Sequence, residues 1–102
     1  MEEIIINKDT LNPKEFMGVL IKNTLAERRP VDDFKRIKQM CEHANLIITA
    51  RADGKLIGVA RSITDLTYYN YLSDLAVDIE YQNKGIDKKL IEETKNNFHL
   101  QS

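Results

Sequence analysis

The stretch Asp74-Leu75-Ala76-Val77-Asp78-Ile79-Glu80-Tyr81-Gln82-Asn83-Lys84-Gly85-Ile86-Asp87-Lys88-Lys89-Leu90-Ile91 decides how this chain is read. Its apolar head, Leu75-Ala76-Val77, has the character of a buried strand. Its tail places Ile86 and Leu90 one helical turn apart, with Thr94 and Phe98 continuing the spacing. Between strand and helix lies a short polar loop carrying one glycine, Gly85. A strand that passes through such a loop directly into a helix gathers free N–H groups and the positive end of the helix dipole at one spot. That spot suits an anion, a diphosphate in particular. Gly85 lets the backbone come close to a ligand. On the residues alone, an ordinary strand-to-helix turn is the commoner meaning of such a loop. It lacks the Gly-Lys-Ser/Thr ending of a Walker-type loop and two of the three glycines of a dinucleotide fingerprint.

Working outward, Tyr71 to Val77 reads as a strand, reached through Asp65–Asn70. Before it, Leu46–Ala50 and Leu56–Ala60 flank Ala52-Asp53-Gly54-Lys55. An Asp-Gly pair tolerates the positive φ angles of a tight hairpin, so these are two antiparallel strands. Ile4–Ile6 is a short β-branched first strand. Asn12-Pro13-Lys14-Glu15 marks a helix start, with Asn12 as cap, Pro13 at the first helical position and Glu15 reaching back in a capping box. Phe16, Val19 and Leu20 carry that helix to about Glu27, where Arg28-Arg29-Pro30 interrupts it. A second helix starts at Asp32 and Asp33 and buries Val31, Phe34, Ile37, Cys41 and Ala44. The order β-α-α-β-β-β-α predicts an α+β fold, a mixed and mainly antiparallel sheet flanked by helices.

The 102 residues suit a single domain over 1–102, and 42% hydrophobic with 30% charged residues is ordinary globular composition. Fifteen basic against sixteen acidic residues give a net charge of −1, which supplies no general attraction for nucleic acid or an anionic membrane. No stretch approaches the ~20 apolar residues of a membrane span. One cysteine, Cys41, allows no intrachain disulfide, in keeping with a cytoplasmic protein. Function is therefore expected in a local site.

Gln82, two variable residues and Gly85, set between Leu75-Ala76-Val77 and Leu90-Ile91, resemble the coenzyme A signature of the GCN5-related N-acetyltransferases. The order of elements and the segments TLAERRPVDD (24–33) and YLSDLAVDIEYQNKGI (71–86) are similar to small bacterial members of that family. The resemblance implies an acyl-CoA N-acyltransferase-like fold and acetyl transfer from acetyl-CoA to an amine acceptor, with no metal. It further implies that the amides of Gln82, Asn83, Lys84, Gly85, Ile86 and Asp87 hold the diphosphate. The main chain of Leu75, Ala76 and Val77 pairs with the pantetheine arm, and an N–H near Ala76 or Val77 polarises the thioester oxygen. Asp87 stands where the family has Gly or Ala. Two negative charges ~4 Å apart repel by roughly 1 kcal/mol in water, so Asp87 is expected to lower coenzyme A affinity.

By the same resemblance the chain ends at Ser102 short of the family's C-terminal elements, as a truncated member. The 71–77 strand is then an open edge, at which a second copy can pair into a homodimer. The alternative function is a non-catalytic coenzyme A-binding or dimerisation module. Asp74 is a candidate base for the acceptor amine, set against a solvated or structurally bonded aspartate. Arg28 and Arg29, in the loop that borders the family's acceptor site, are candidates for binding an acidic acceptor, set against surface arginines. His43 and His99 have no partners at metal-ligand spacing. Cys41 lies on an apolar stripe and reads as a core residue rather than a nucleophile.

Overall fold

The computed structural model describes residues 3–22, 34–64 and 70–101. Its elements are β1 (Ile4–Lys8), α1 (Pro13–Ile21), α2 (Phe34–His43), β2 (Leu46–Ala52), β3 (Lys55–Thr64), β4 (Asn70–Val77), a 3-10 turn (Ile79–Tyr81) and α3 (Ile86–Gln101). The four strands form one sheet in chain order, every neighbour antiparallel. This is the expected α+β architecture, with strand pairing entirely antiparallel among the described residues. The 3-10 turn between β4 and α3 adds to the elements the sequence predicts.

Strand alternation sorts the side chains into two cores. Ile47, Val59 and Ala76 join Phe16, Val19, Leu20 and Ile37 under α1 and α2. Leu46, Ile48, Ala60 and Val77 join Ile86 and Leu90 under α3. The sheet is thus covered by helices on both faces. A Cβ on Gly58 would lie 3.2 Å from Leu90 Cδ1 and 3.3 Å from Ala50 Cβ, so its lack of a side chain lets α3 sit close to the strands. The β2–β3 hairpin closes at Asp53 (φ 50°) and Gly54 (φ 88°), as the Asp-Gly pair predicts.

Asn12 caps α1, its Oδ1 accepting from the amides of Lys14 at 2.8 Å and Glu15 at 3.4 Å. The predicted capping box does not close, because a stronger partner takes the Glu15 carboxylate. Arg51 of β2 donates to it from Nη1 at 2.9 Å and Nη2 at 3.2 Å. Arg51 Nε also donates to Asp9 Oδ2 at 3.0 Å, and Thr49 Oγ1 donates to the same oxygen at 2.8 Å. One arginine therefore holds both ends of the β1–α1 connection, with a two-pronged carboxylate contact that a capping Glu cannot match. In α2, Ile37 is fully buried and Met40 and Cys41 pack against the same core, as does Ala44 just beyond the helix. Phe34, expected inside, is 42% exposed. Val31, Asp32 and Asp33 lie outside the described residues.

Burial alone would raise the Asp9 carboxyl, but hydrogen bonds from Arg51, Thr49 and the Thr10 amide outweigh it and hold the group below its ordinary 3.8. A carboxyl depressed in the folded state contributes stability that is present above its unfolded pKa and lost as pH falls through the folded one. Asp9→Asn is therefore expected to be less stable than wild type at neutral pH. Urea unfolding across pH 7 to 2 should show that difference shrinking below the ordinary carboxyl value and vanishing at the acid end.

Candidate functional site

The end of β4 and the start of α3 meet at one edge of the sheet. The Asp78 amide donates to the Ile57 carbonyl at 2.7 Å, which makes these two a hydrogen-bonded pair across the β3–β4 ladder. Antiparallel alternation then makes Val59/Ala76 the next such pair, with Gly58/Val77 and Ala60/Leu75 as the non-hydrogen-bonded pairs between them. The main-chain groups of Ala76 turn inward to β3, whereas those of Leu75 and Val77 turn outward. Of the two residues expected to aim an N–H at a ligand, Val77 lies on the outward set and Ala76 on the inward one. The Val77 carbonyl accepts from Gln82 Nε2 at 3.0 Å, so Gln82 folds back over this same outward side.

After β4 the chain is tied down tightly. Asp78, 1% exposed, accepts from the Glu80 amide through Oδ1 at 3.0 Å and lies with Oδ2 3.7 Å from Lys22 Nζ. The Ile79 amide donates to the Lys22 carbonyl at 3.0 Å, which fastens the end of α1 to the same corner. The loop then reverses through two residues of positive φ, Asn83 (66°) and Gly85 (79°). Lys84 sets its ammonium 5.1 Å from the centroid of the Tyr81 ring, a cation–π contact that holds one positive charge beside the loop.

Gly85 precedes α3, and its carbonyl accepts the first helical hydrogen bond, from Lys89, at 3.2 Å. A glycine in this position has no side chain with which to satisfy the helix's orphan amides. Among the described residues, no side chain caps the amides of Ile86, Asp87 and Lys88. Ile86, 3% exposed, anchors this first turn in the core, while Asp87 is exposed. The loop and helix start therefore offer several amides and a positive dipole end to one anion, with the Asp87 carboxylate at the rim.

Asp74 lies elsewhere in this frame. It is 2% exposed, and its Oδ2 accepts from Arg61 Nε at 2.6 Å on the face covered by α2. This geometry supports the structurally bonded alternative for Asp74. The sequence signal for Arg61 is an arginine within the run Leu56–Ile63, which is apolar but for Arg61 and Ser62. Arg28 and Arg29 lie outside the described residues. Cys41 is half-buried, and burial pushes its thiol up to about 11, which makes a poor nucleophile at neutral pH. Among the described residues no cluster of His, Cys, Asp and Glu is placed to hold a metal, and no helix is long and apolar enough to cross a membrane.

Residues 17–102 match the family model described as an acetyltransferase (GNAT) domain. Solved structures of the same architecture agree. A probable acetyltransferase of unknown function from methicillin-resistant Staphylococcus aureus superposes with a TM-score of 0.82 at 19% identity, covering 98% of this chain and 72% of that one. A GNAT-family acetyltransferase from Streptococcus pneumoniae gives 0.76 at 21% identity, over 95% and 69% of the two chains. An aminoglycoside N-acetyltransferase solved with CoA gives 0.69 at 18% identity, over 94% and 69%. No curated protein matches the sequence significantly.

The loop makes a direct demand on Gly85. At φ 79° an L side chain meets the backbone, at a cost of about 1–2 kcal/mol. Gly85→Ala is expected to lower the thermal midpoint by roughly 4–8 °C per kcal/mol in a domain of this size. Calorimetry checks this, and an unchanged midpoint would contradict the positive φ.

Proposed function

The chain belongs to the GNAT acetyltransferase domain family, and from that premise we propose that it transfers an acetyl group from acetyl-CoA to an amine. The observation that carries this reading is the uncapped start of α3 beside the outward-facing main chain of β4. The amides from Gln82 to Asp87 would hold the diphosphate, with the dipole of α3 behind them and Lys84 at the side. The outward main-chain groups of Leu75 would pair with the pantetheine arm in the manner of β-addition. An amine attacking a thioester builds negative charge on the carbonyl oxygen. The outward N–H of Leu75 is the donor we assign to that oxygen. An N–H held by a paired strand needs no reorganisation as the charge develops.

Two features bear against turnover. The Asp74 carboxylate is occupied by Arg61 rather than open to an acceptor. Asp87 places a negative charge near the expected diphosphate. The first favours, as the second reading, a domain that binds acetyl-CoA without transferring the acetyl group, and the second lowers the affinity itself.

A ligand that binds only the folded state stabilises it, by about 2.7 kcal/mol at a hundredfold excess over Kd. Acetyl-CoA is therefore expected to raise the thermal midpoint, and a null result at millimolar ligand overturns both readings. Thiol release over a panel of primary amines then separates catalysis from binding alone. Removing the charge at the rim is expected to tighten binding by about fivefold, the equivalent of roughly 1 kcal/mol. Calorimetric titration of Asp87→Gly against wild type tests this, and equal affinities dismiss the electrostatic role of Asp87.

A further inference from the structure

The β3–β4 register carries an irregularity at one place. Arg61 pairs with Asp74, but Ser62 pairs with Leu72, so Ser73 is an extra residue on β4. Arg61 is the residue opposite this bulge, and Asp74 is the residue that follows it. Their side chains meet in an ion pair at 2.6 Å, with side chains 8% and 0% exposed. Arg61 Nη1 also donates to the Met40 carbonyl at 3.2 Å, so the guanidinium is held from α2 as well as from β4.

A buried ion pair is a weak source of stability, since apolar residues of like volume often serve as well. Its best-attested use is to fix a register. A register fix has a consequence at this position. With the bulge at Ser73, Leu75 and Val77 turn their main-chain groups outward and Ala76 turns inward. A one-residue slip would reverse that set and also send Ala76 and Val77 to the wrong cores. The apolar cores resist a slip of the whole strand. The ion pair sits at the extra residue itself, joining Asp74, which follows Ser73, to Arg61 opposite it.

We propose that Arg61 is a positioning residue for the acetyl-CoA site: its buried pairing with Asp74 clasps the β4 bulge and so sets which main-chain groups face the ligand. This rests on the acetyl-CoA reading above. Arg61 touches no reacting atom; it acts through Asp74 and the strand. The diphosphate loop at Gln82–Asp87 lies beyond the other end of the strand and does not depend on the clasp.

The test separates these two parts of the site with two ligands, acetyl-CoA and adenosine 3′-phosphate 5′-diphosphate, which ends at the diphosphate. The variant Arg61→Met/Asp74→Leu removes both charges together and leaves neither buried alone. Circular dichroism and the thermal midpoint report whether it folds. Arg61→Lys keeps a paired charge but loses the fork that spans Asp74 and Met40, and it serves if the double variant does not fold. The expected result is a loss of about tenfold in acetyl-CoA affinity with adenosine 3′-phosphate 5′-diphosphate binding unchanged. Equal acetyl-CoA affinity overturns the proposal, and so does a parallel loss for both ligands, which marks a merely structural pair. If wild type binds neither ligand, the functional reading fails and this one with it.

Discussion

Burial of Ile86 and Leu90 against Ile48, Ala60 and Val77 is the contact on which the rest of this corner depends. It holds the first turn of α3 against the sheet at the point where β4 ends. Close approach at Gly58 leaves little room for α3 to lift away. Only because the helix start is pinned in this way do its orphan amides stay aimed at one place. Fully burying an aliphatic side chain stabilises by about 1.5–3 kcal/mol, enough to fix a helix whose start has no side-chain cap. The corner is braced from the other face by Lys22, whose carbonyl receives the Ile79 amide.

Two arginines organise the polar interior, and they do so differently. Arg51 is partly exposed and ties Asp9 and Glu15 across the β1–α1 connection, at the side of the molecule away from β4. It secures how the chain enters its first helix. Arg61 is buried and acts inside the sheet, at the β3–β4 register shift beside Ser73. A further register shift, between Ala50 and Arg51, lies on the β2–β3 hairpin. There it turns Leu56 toward the α1–α2 core and Ile57 toward α3.

Much of the fold was legible because its signals are local. The Asp53-Gly54 turn, the Asn12-Pro13 helix start and the apolar spacing of Ile86, Leu90 and Thr94 each act within a few residues, and each appears where expected. Two of the failures share a cause. Glu15 turned to Arg51 instead of to its own helix, and Phe34 stayed outside although its spacing matches Ile37. The pairing of Asp74 joins residues thirteen apart in sequence across two strands. The partners of Glu15 and Asp74 lie on other elements, which spacing along the chain does not reveal. A bulge is harder still, since one extra residue at Ser73 leaves no mark in the alternation of a short apolar strand.

The sequence by itself determined the order of elements, the antiparallel hairpin and a glycine-bearing loop between a buried strand and a helix. Those follow from backbone preferences and apolar periodicity, which are properties of adjoining residues. Only the tertiary structure decided which amides of that strand face outward. It also decided that Gln82 folds back onto Val77 and that Asp74 is bound by Arg61. These follow from strand register and from charges meeting across the sheet, and both are settled by partners distant along the chain. The stretch from Asp74 to Ile91 thus names the family in its residues, and takes its working geometry from β3 and the two cores that hold it.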